Sequence, residues 1–256
     1  MSAPGRVAVI GSQVSICSAA GALELLKSRL ELQAGGYVCF TNAHTAVMGR
    51  RDERFRAVTN GSFLSVADGK PVYWTGRMKG AGGLGHVPGP DFMWRVLSQL
   101  PQYRHFFYGS TPAVLSSLTT SVRERIPGVN ICGSLSPPFR ALAREELAGI
   151  YREILQARPD FVWVGLGAPK QELWMAEAWP ELRPAILLGV GAAFDFHAGT
   201  IRRAPATIRH VGLEWLHRLF QEPRRLWRRY LVTNSLFIYY AVRDALSPRS
   251  AAERGT

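Results

Sequence analysis

The chain has 256 residues, 47% of them hydrophobic and 20% charged, with a formal charge of +12 and a pI near 10.3. That length and apolar content suit one large domain, or one domain with an appendage, and exclude a disordered or fibrous chain. The surplus of positive charge favours an anionic partner: nucleic acid, an anionic bilayer or a phosphorylated substrate.

In chain order, short apolar runs alternate with helical patterns. Strands are predicted at 6–11, 37–41, 62–68, 104–109, 129–133, 160–165 and 185–190. Helices are predicted at about 18–33, 43–57, 91–100, 112–125, 140–157 and 170–179. Several of the strands, such as "DFVWVG" and "AILLGV", are apolar almost throughout, as strands buried on both faces are. The alternation predicts an α/β fold with a largely parallel sheet. The segment "RVAVIGSQVSICSAAGALELL" imitates a secretory signal weakly; polar residues interrupt it, and it reads as a strand followed by a helix. After about residue 205 no further strand is evident, and two helices are predicted, at 206–221 and 223–245. This places an expected boundary near 200–205. The core would span 1–204, the appendage 205–246 and a flexible tail 247–256.

The three cysteines, Cys17, Cys39 and Cys132, have no close spacing, which points to a reducing cytoplasm rather than a disulfide framework. No run reaches the roughly 18 to 20 apolar residues of a membrane span.

Candidate site residues cluster where strands end, because ligands of parallel sheets sit beyond the carboxyl ends of the strands. "GLGAPKQELW" (165–174) joins a strand to a helix through a tight turn at Gly167. Free N–H groups at the helix start, with Lys170 and Gln171, suit a nucleotide diphosphate or its base, although an ordinary turn explains the spacing equally well. "FFYGSTP" (106–112) repeats the arrangement around Gly109, with Ser110 and Thr111 as caps. "VADGKPV" (66–72) puts Asp68 at a strand end, as a turn residue or as a general base. In "FTNAHT" (40–45), Asn42 either caps the next helix or orients a hydroxyl. In "GVGAAFDFHAG" (189–199), Asp195 and His197 lack the further partners of a metal site, and Asp195 is read as holding the substrate or its loop.

From Thr200 onward there are eleven arginines, no lysine and four acidic residues, a surplus of seven charges. In "FQEPRRLWRRYLVTNSLFIYY" (220–240), Arg224 and Arg228 are four apart, as are Arg225 and Arg229, so like charges stack on a helix. The aromatic and aliphatic residues among them suit an interfacial helix better than a solvated charge run.

Taken together, these segments resemble the WecG/TagA/CpsF glycosyltransferases, glycosyltransferase family 26, from about Val7 to Phe237. "GLGAPKQELW", "GVGAAFDFHAG" with "RAP" (203–205) and "GLEWLHRLFQEPRRLWRRYL" (212–231) carry the likeness, supported by "VADGKPV", "VPGPDFM" (87–93) and "GSLSPPF" (133–139). The resemblance implies a Rossmann-like core with helices on both faces and a helical, membrane-associating appendage. It implies an inverting, metal-independent transferase without a cofactor. Such an enzyme moves a hexose or N-acetylhexosamine from a UDP-sugar to an undecaprenyl-diphosphate-linked saccharide, building exopolysaccharide or another bacterial surface polymer. Asp68 falls on the family's catalytic base. Thr41, Asn42, His86, Asp91, Gly109, Gly167, Lys170, Gln171 and Asp195 are the expected substrate-binding set. Arg218, Arg224, Arg225 and Arg228 are the candidates for the carrier diphosphate.

Two positions depart from the family pattern. Phe40 stands where many members have Thr, and His86 stands where many have Arg. Both put N-acetylmannosamine in doubt as the donated sugar. The expected location is the inner face of the plasma membrane, against an anionic surface. Nucleic acid is not an expected partner, and a homo-oligomer is left open. Two rival readings are a nucleotide-dependent enzyme of another class, such as a dehydrogenase, and a nucleic-acid-binding protein using its arginine-rich tail. The first lacks the dinucleotide glycine fingerprint, and the second lacks a recognised binding module.

Overall fold

The computed structural model describes residues 3–247. Of the flexible tail expected at 247–256, residues 248–256 lie outside them. The chain opens not with a strand of the main sheet but with an antiparallel hairpin, β1 (Arg6–Val9) and β2 (Ser12–Ser15). Ile10 and Gly11 turn it with positive φ. The single strand expected at 6–11 is thus two short ones, because Gly11 and the following polar residues reverse the chain.

Six strands form the main sheet: β3 (Gly36–Thr41), β4 (Leu64–Ala67), β5 (His105–Gly109), β6 (Ile131–Leu135), β7 (Phe161–Gly165) and β8 (Ile186–Gly189). Their order is β4-β3-β8-β7-β5-β6, and every pair is parallel. Counted from its own first strand, the sheet runs 2-1-6-5-3-4, unlike the 3-2-1-4-5-6 order of dinucleotide-binding sheets. The hairpin closes the β4 edge, where the Ser65 amide N–H donates to Ser15 Oγ at 3.1 Å, so that this edge is covered rather than open to pairing.

Period-two alternation sends neighbouring strand residues to opposite faces. Val38, Phe40, Phe107, Trp163 and Leu188 pack on one face against α1 (Ala19–Glu31), α5 (Gly89–Gln99), α6 (Pro112–Arg125) and α9 (Ala193–His197). Tyr37, Cys39, Tyr108, Val164 and Leu187 pack on the other face against α7 (Arg144–Gln156) and α8 (Lys170–Ala178). A third apolar cluster joins the hairpin to α2 (Ala43–Arg51), α4 (Lys70–Met78) and Phe237.

The helix predicted at 43–57 breaks at Asp52. That residue ends α2 in an extended conformation, and its side chain accepts from the Phe55 amide to cap α3 (Glu53–Asn60). The cap supplies an orphan donor with a partner, so two short helices replace one. Helix α4 was not expected, because Asp68 with the following Gly69 reads as a turn; Pro71 occupies its first turn, where a missing N–H costs nothing.

The segment predicted as one helix at 206–221 is α10 (Ala206–His210) and α11 (Glu214–Gln221), divided at Gly212. Helix α12 (Pro223–Leu246) follows and lies along α2. No helix among the described residues is long and apolar enough to cross a membrane.

Candidate active site

The carboxyl ends of β3, β4, β5, β7 and β8 open into one cavity of about 500 Å³, walled on its far side by α11 and α12. The loops after the strands supply its floor because parallel strands all end on the same side.

Asp68 follows β4 and is partly buried. Its Oδ1 accepts from the Gly89 amide at 2.8 Å, and its Oδ2 accepts from Asn42 Nδ2 at 3.2 Å. Burial, only partly offset by these two bonds, raises its pKa to about 6, because removing water disfavours the charged form. The result is a fixed carboxylate with a proton affinity suited to base catalysis near neutrality.

Asn42 caps the next helix and has a second partner besides. Its Oδ1 accepts from the His44 and Thr45 amides, capping α2 in a reciprocal box with Thr45, while its Nδ2 holds Asp68. Helix capping therefore sets the angle of the amide that holds the Asp68 carboxylate.

His86 Nε2–H donates to the Asp68 backbone carbonyl at 2.8 Å. Burial, with Lys70 nearby, lowers its pKa to about 4, so it is neutral and its Nδ1 is left as an acceptor. His44 is likewise neutral, lowered to about 4 by burial and by Arg229. Phe40 and His86, the two departures from the family pattern, both line the cavity.

Gln171 is buried at the start of α8, and its amide is polarised by its partners. Nε2 donates to Glu172 Oε1 at 2.8 Å and to the Gly189 carbonyl at 3.0 Å, while the buried Oε1 makes no hydrogen bond in the protein; the residue lines the cavity. A buried acceptor without a partner is costly and marks a place for a ligand donor. Burial raises the pKa of Glu172. A Cβ at Gly189 would sit 2.5 Å from Met175 and 3.3 Å from the Gln171 amide, so only glycine lets the two elements close on each other.

Gly167 and Asp195 also line the cavity. The remaining expected residues are placed differently. Thr41 points away from it, its hydroxyl 2.7 Å from Ser65 Oγ inside the sheet. Alternation along β3 gives the cavity Phe40 instead. Gly109 serves packing: its φ is +117°, and a Cβ there would lie 2.7 Å from the Gly165 backbone. Ser110, one residue on, reaches the cavity; it does not cap α6, which Thr111 does alone. Lys170 is exposed and outside the cavity lining.

Asp91 is likewise outside the lining and acts as an anchor. It pairs with Arg203 at 2.5 Å and with Arg209 at 3.4 Å, and Arg203 also holds Glu214 at 3.0 Å. These pairs tie α5 of the core to the start of the C-terminal helices.

Of the tail arginines, Arg218 lines the cavity, with its guanidinium 5.6 Å from the Phe196 ring. Arg224 and Arg228 are exposed and outside it; the side chain of Arg225 lies outside the described residues. Arg209 and Arg229, not among the expected residues, do line it, as does Phe139, which is 80% exposed. Nothing in the sequence separates Arg229 from Arg228, since the choice depends on how α12 is rotated against α2. Among the described residues, no three His, Cys, Asp or Glu side chains gather as metal ligands would.

Comparison with known proteins accords with this arrangement. The profile described as "Glycosyl transferase WecG/TagA/CpsF family" matches residues 7–251. The chain is 28% identical over 204 residues to the N-acetylglucosaminyldiphosphoundecaprenol N-acetyl-beta-D-mannosaminyltransferase of Bacillus spizizenii, covering 79% of this chain and 77% of that protein. The chain belongs to the WecG/TagA/CpsF glycosyltransferase family.

Proposed function

We propose that this member of the WecG/TagA/CpsF family is an inverting transferase with a Rossmann-like core (1–204) and a catalytic helical appendage (205–246). It takes a hexose or N-acetylhexosamine from a UDP-sugar and adds it to a saccharide on undecaprenyl diphosphate, in exopolysaccharide or other surface-polymer synthesis. The observation that carries the reading is the Asp68 carboxylate, fixed by Gly89 and Asn42 in a cavity that also holds Arg209, Arg218 and Arg229.

In this reaction the acceptor hydroxyl oxygen bonds to the anomeric carbon as the bond from that carbon to the diphosphate oxygen breaks. Its proton passes to Asp68, and UDP departs with the electron pair. Attack from the face opposite UDP inverts the anomeric centre. The leaving charge is met by cavity arginines and backbone N–H groups near Gly167, whose fixed dipoles need no rearrangement. This lets the step proceed without a divalent metal. Gln171 Oε1 accepts from a donor on the nucleotide, and the exposed Phe139 ring offers a face to the base.

The bacterial relative is named for transfer of N-acetylmannosamine; Phe40 and His86 at the cavity wall favour a different donor sugar here. The protein binds peripherally at the cytoplasmic face of the membrane, where its lipid acceptor resides.

The test is a panel of UDP-sugars with a lipid-diphosphate monosaccharide, reading disaccharide by mass spectrometry. One donor should give product, and Asp68→Asn should lower kcat by about 10² to 10⁴-fold, the usual share of a general base. Near-normal turnover by that variant would remove Asp68 from this role.

A further inference from the structure

Beside the cavity, α2 and α12 leave a second, open groove of about 380 Å³. Its walls are Val47, Met48 and Arg51 from α2, Asp52 where α2 ends, and Val232 and Leu236 from α12. His44, Arg229 and Thr233 line both this groove and the catalytic cavity, so the two spaces meet at those three side chains. We propose that this groove holds the first isoprene units of the acceptor's polyprenyl chain while its diphosphate sits at the junction against Arg229. The inference rests on the transferase reading above and adds to it the path of the lipid.

Three observations support one occupant that is charged at one end and apolar beyond it. At the junction, Arg229 Nε is buried without a hydrogen-bond partner, and among the described residues its guanidinium forms no ion pair. A half-buried guanidinium with one nitrogen sealed from water and unpartnered offers a place for an anion. Beyond it, the wall turns apolar within one helical turn, from Arg229 to Val232 and Leu236, which share a face of α12 at i, i+3 and i+7. At its outer edge, Val232 is 51% exposed and adjoins Leu231 and Tyr239, also more than half exposed. The groove therefore leads from the diphosphate position to an uncovered apolar helix face. A water-soluble acceptor gains nothing from such a path, whereas a lipid buries its chain along it.

Two measurements on the full-length protein test this. In the first, a polyprenyl diphosphate with a diazirine on an early isoprene unit is irradiated with the wild-type protein in detergent. Adducts are expected on peptides containing Val47–Met48 and Val232–Leu236, and unlabelled polyprenyl diphosphate should compete for them. Adducts confined to the outward residues Trp227, Leu231 and Ile238, or no specific adducts, would overturn the groove and send the chain directly into the bilayer.

The second compares kcat/KM for acceptors with the same sugar diphosphate on a polyprenyl chain and on a short alkyl chain. Val232→Asp, at a half-exposed position, should lower the long-to-short preference about tenfold. An unchanged ratio overturns the inference, as does a variant whose only effect is to dissociate an oligomer in light scattering, which would make the groove an interface between copies. Wild-type protein that glycosylates both acceptors without preference overturns the groove alone. Wild-type protein that glycosylates neither overturns the transferase reading with it.

Discussion

Asp68, the base of the proposed reaction, is costly to the fold. In the unfolded chain its carboxyl has an ordinary value near 3.8, and in the folded protein the value is about 6. A native pKa above the unfolded one means that the native state holds the proton longer. Stability is therefore greatest at acid pH and is lost as pH rises through about 6. From pH 4 to pH 7 that loss is about 2 kcal/mol. Asp68→Asn removes the titration, so its stability relative to wild type should improve by about 2 kcal/mol over that interval, measured by urea unfolding at both pH values. A constant difference would mean that the carboxyl is not strained by burial. The same group sets a kinetic limit. As the proposed base it must be ionised, so kcat/KM should fall about tenfold per pH unit below pH 6; a profile flat from pH 5 to 7 would contradict the assignment.

Among the elements, α12 ties the C-terminal helices to the core. Phe237 is 4% exposed and packs with Val9, Val47 and Ala67. Asp244 pairs with Arg50 at 3.4 Å, and Thr233 approaches His44 at 3.3 Å. Phe237→Ala should cost about 3 kcal/mol or more by urea denaturation, as truncation of a buried ring does, and should expose the C-terminal helices to protease. A loss under about 1 kcal/mol would show α12 to be only loosely held. Deleting the chain after residue 204 goes further, because it uncovers the α2 face of that cluster and removes Arg209, Arg218 and Arg229 from the cavity. The shortened core should be less stable and inactive on a lipid acceptor. Full activity in that protein would place the helices outside the reaction.

Over the whole molecule, positive charge and apolar exposure coincide. The net charge is +12, and α12 exposes Trp227, Leu231, Ile238, Val242 and Leu246 at spacings of four and seven that repeat along one side of a helix. Basic residues beside such a stripe are the makings of an interfacial helix. The protein should co-sediment with vesicles containing anionic lipid and be partly released by salt, since screening weakens only the electrostatic part. Leu231→Ser combined with Ile238→Ser should reduce binding at least tenfold. Retention on the vesicles would assign the contact to another surface.

The α/β class, most strand positions and the gathering of Asp68, Asn42 and Gln171 beyond the strand ends were legible in the linear sequence. Each depends on local chemistry: apolar runs long enough for a buried strand, or polar residues where such a run stops. The folded chain decided the rest. The hairpin, the breaks at Asp52 and Gly212 and the first turn of α4 follow from backbone turns and caps that hydrophobic periodicity does not record. Thr41 and Phe40 differ by one position, yet only strand alternation against real neighbours sends one to Ser65 and the other to the cavity. Asp91 carries the same charge in either setting, and only the approach of Arg203 makes it an anchor. Eleven arginines after Thr200 raise the expectation of an anionic partner, but do not tell which of them reach the cavity. Arg209, Arg218 and Arg229 line the cavity, while Arg224 and Arg228 remain in solvent, because the rotation of α12 is set by Phe237 packing into a cluster drawn from the other end of the chain.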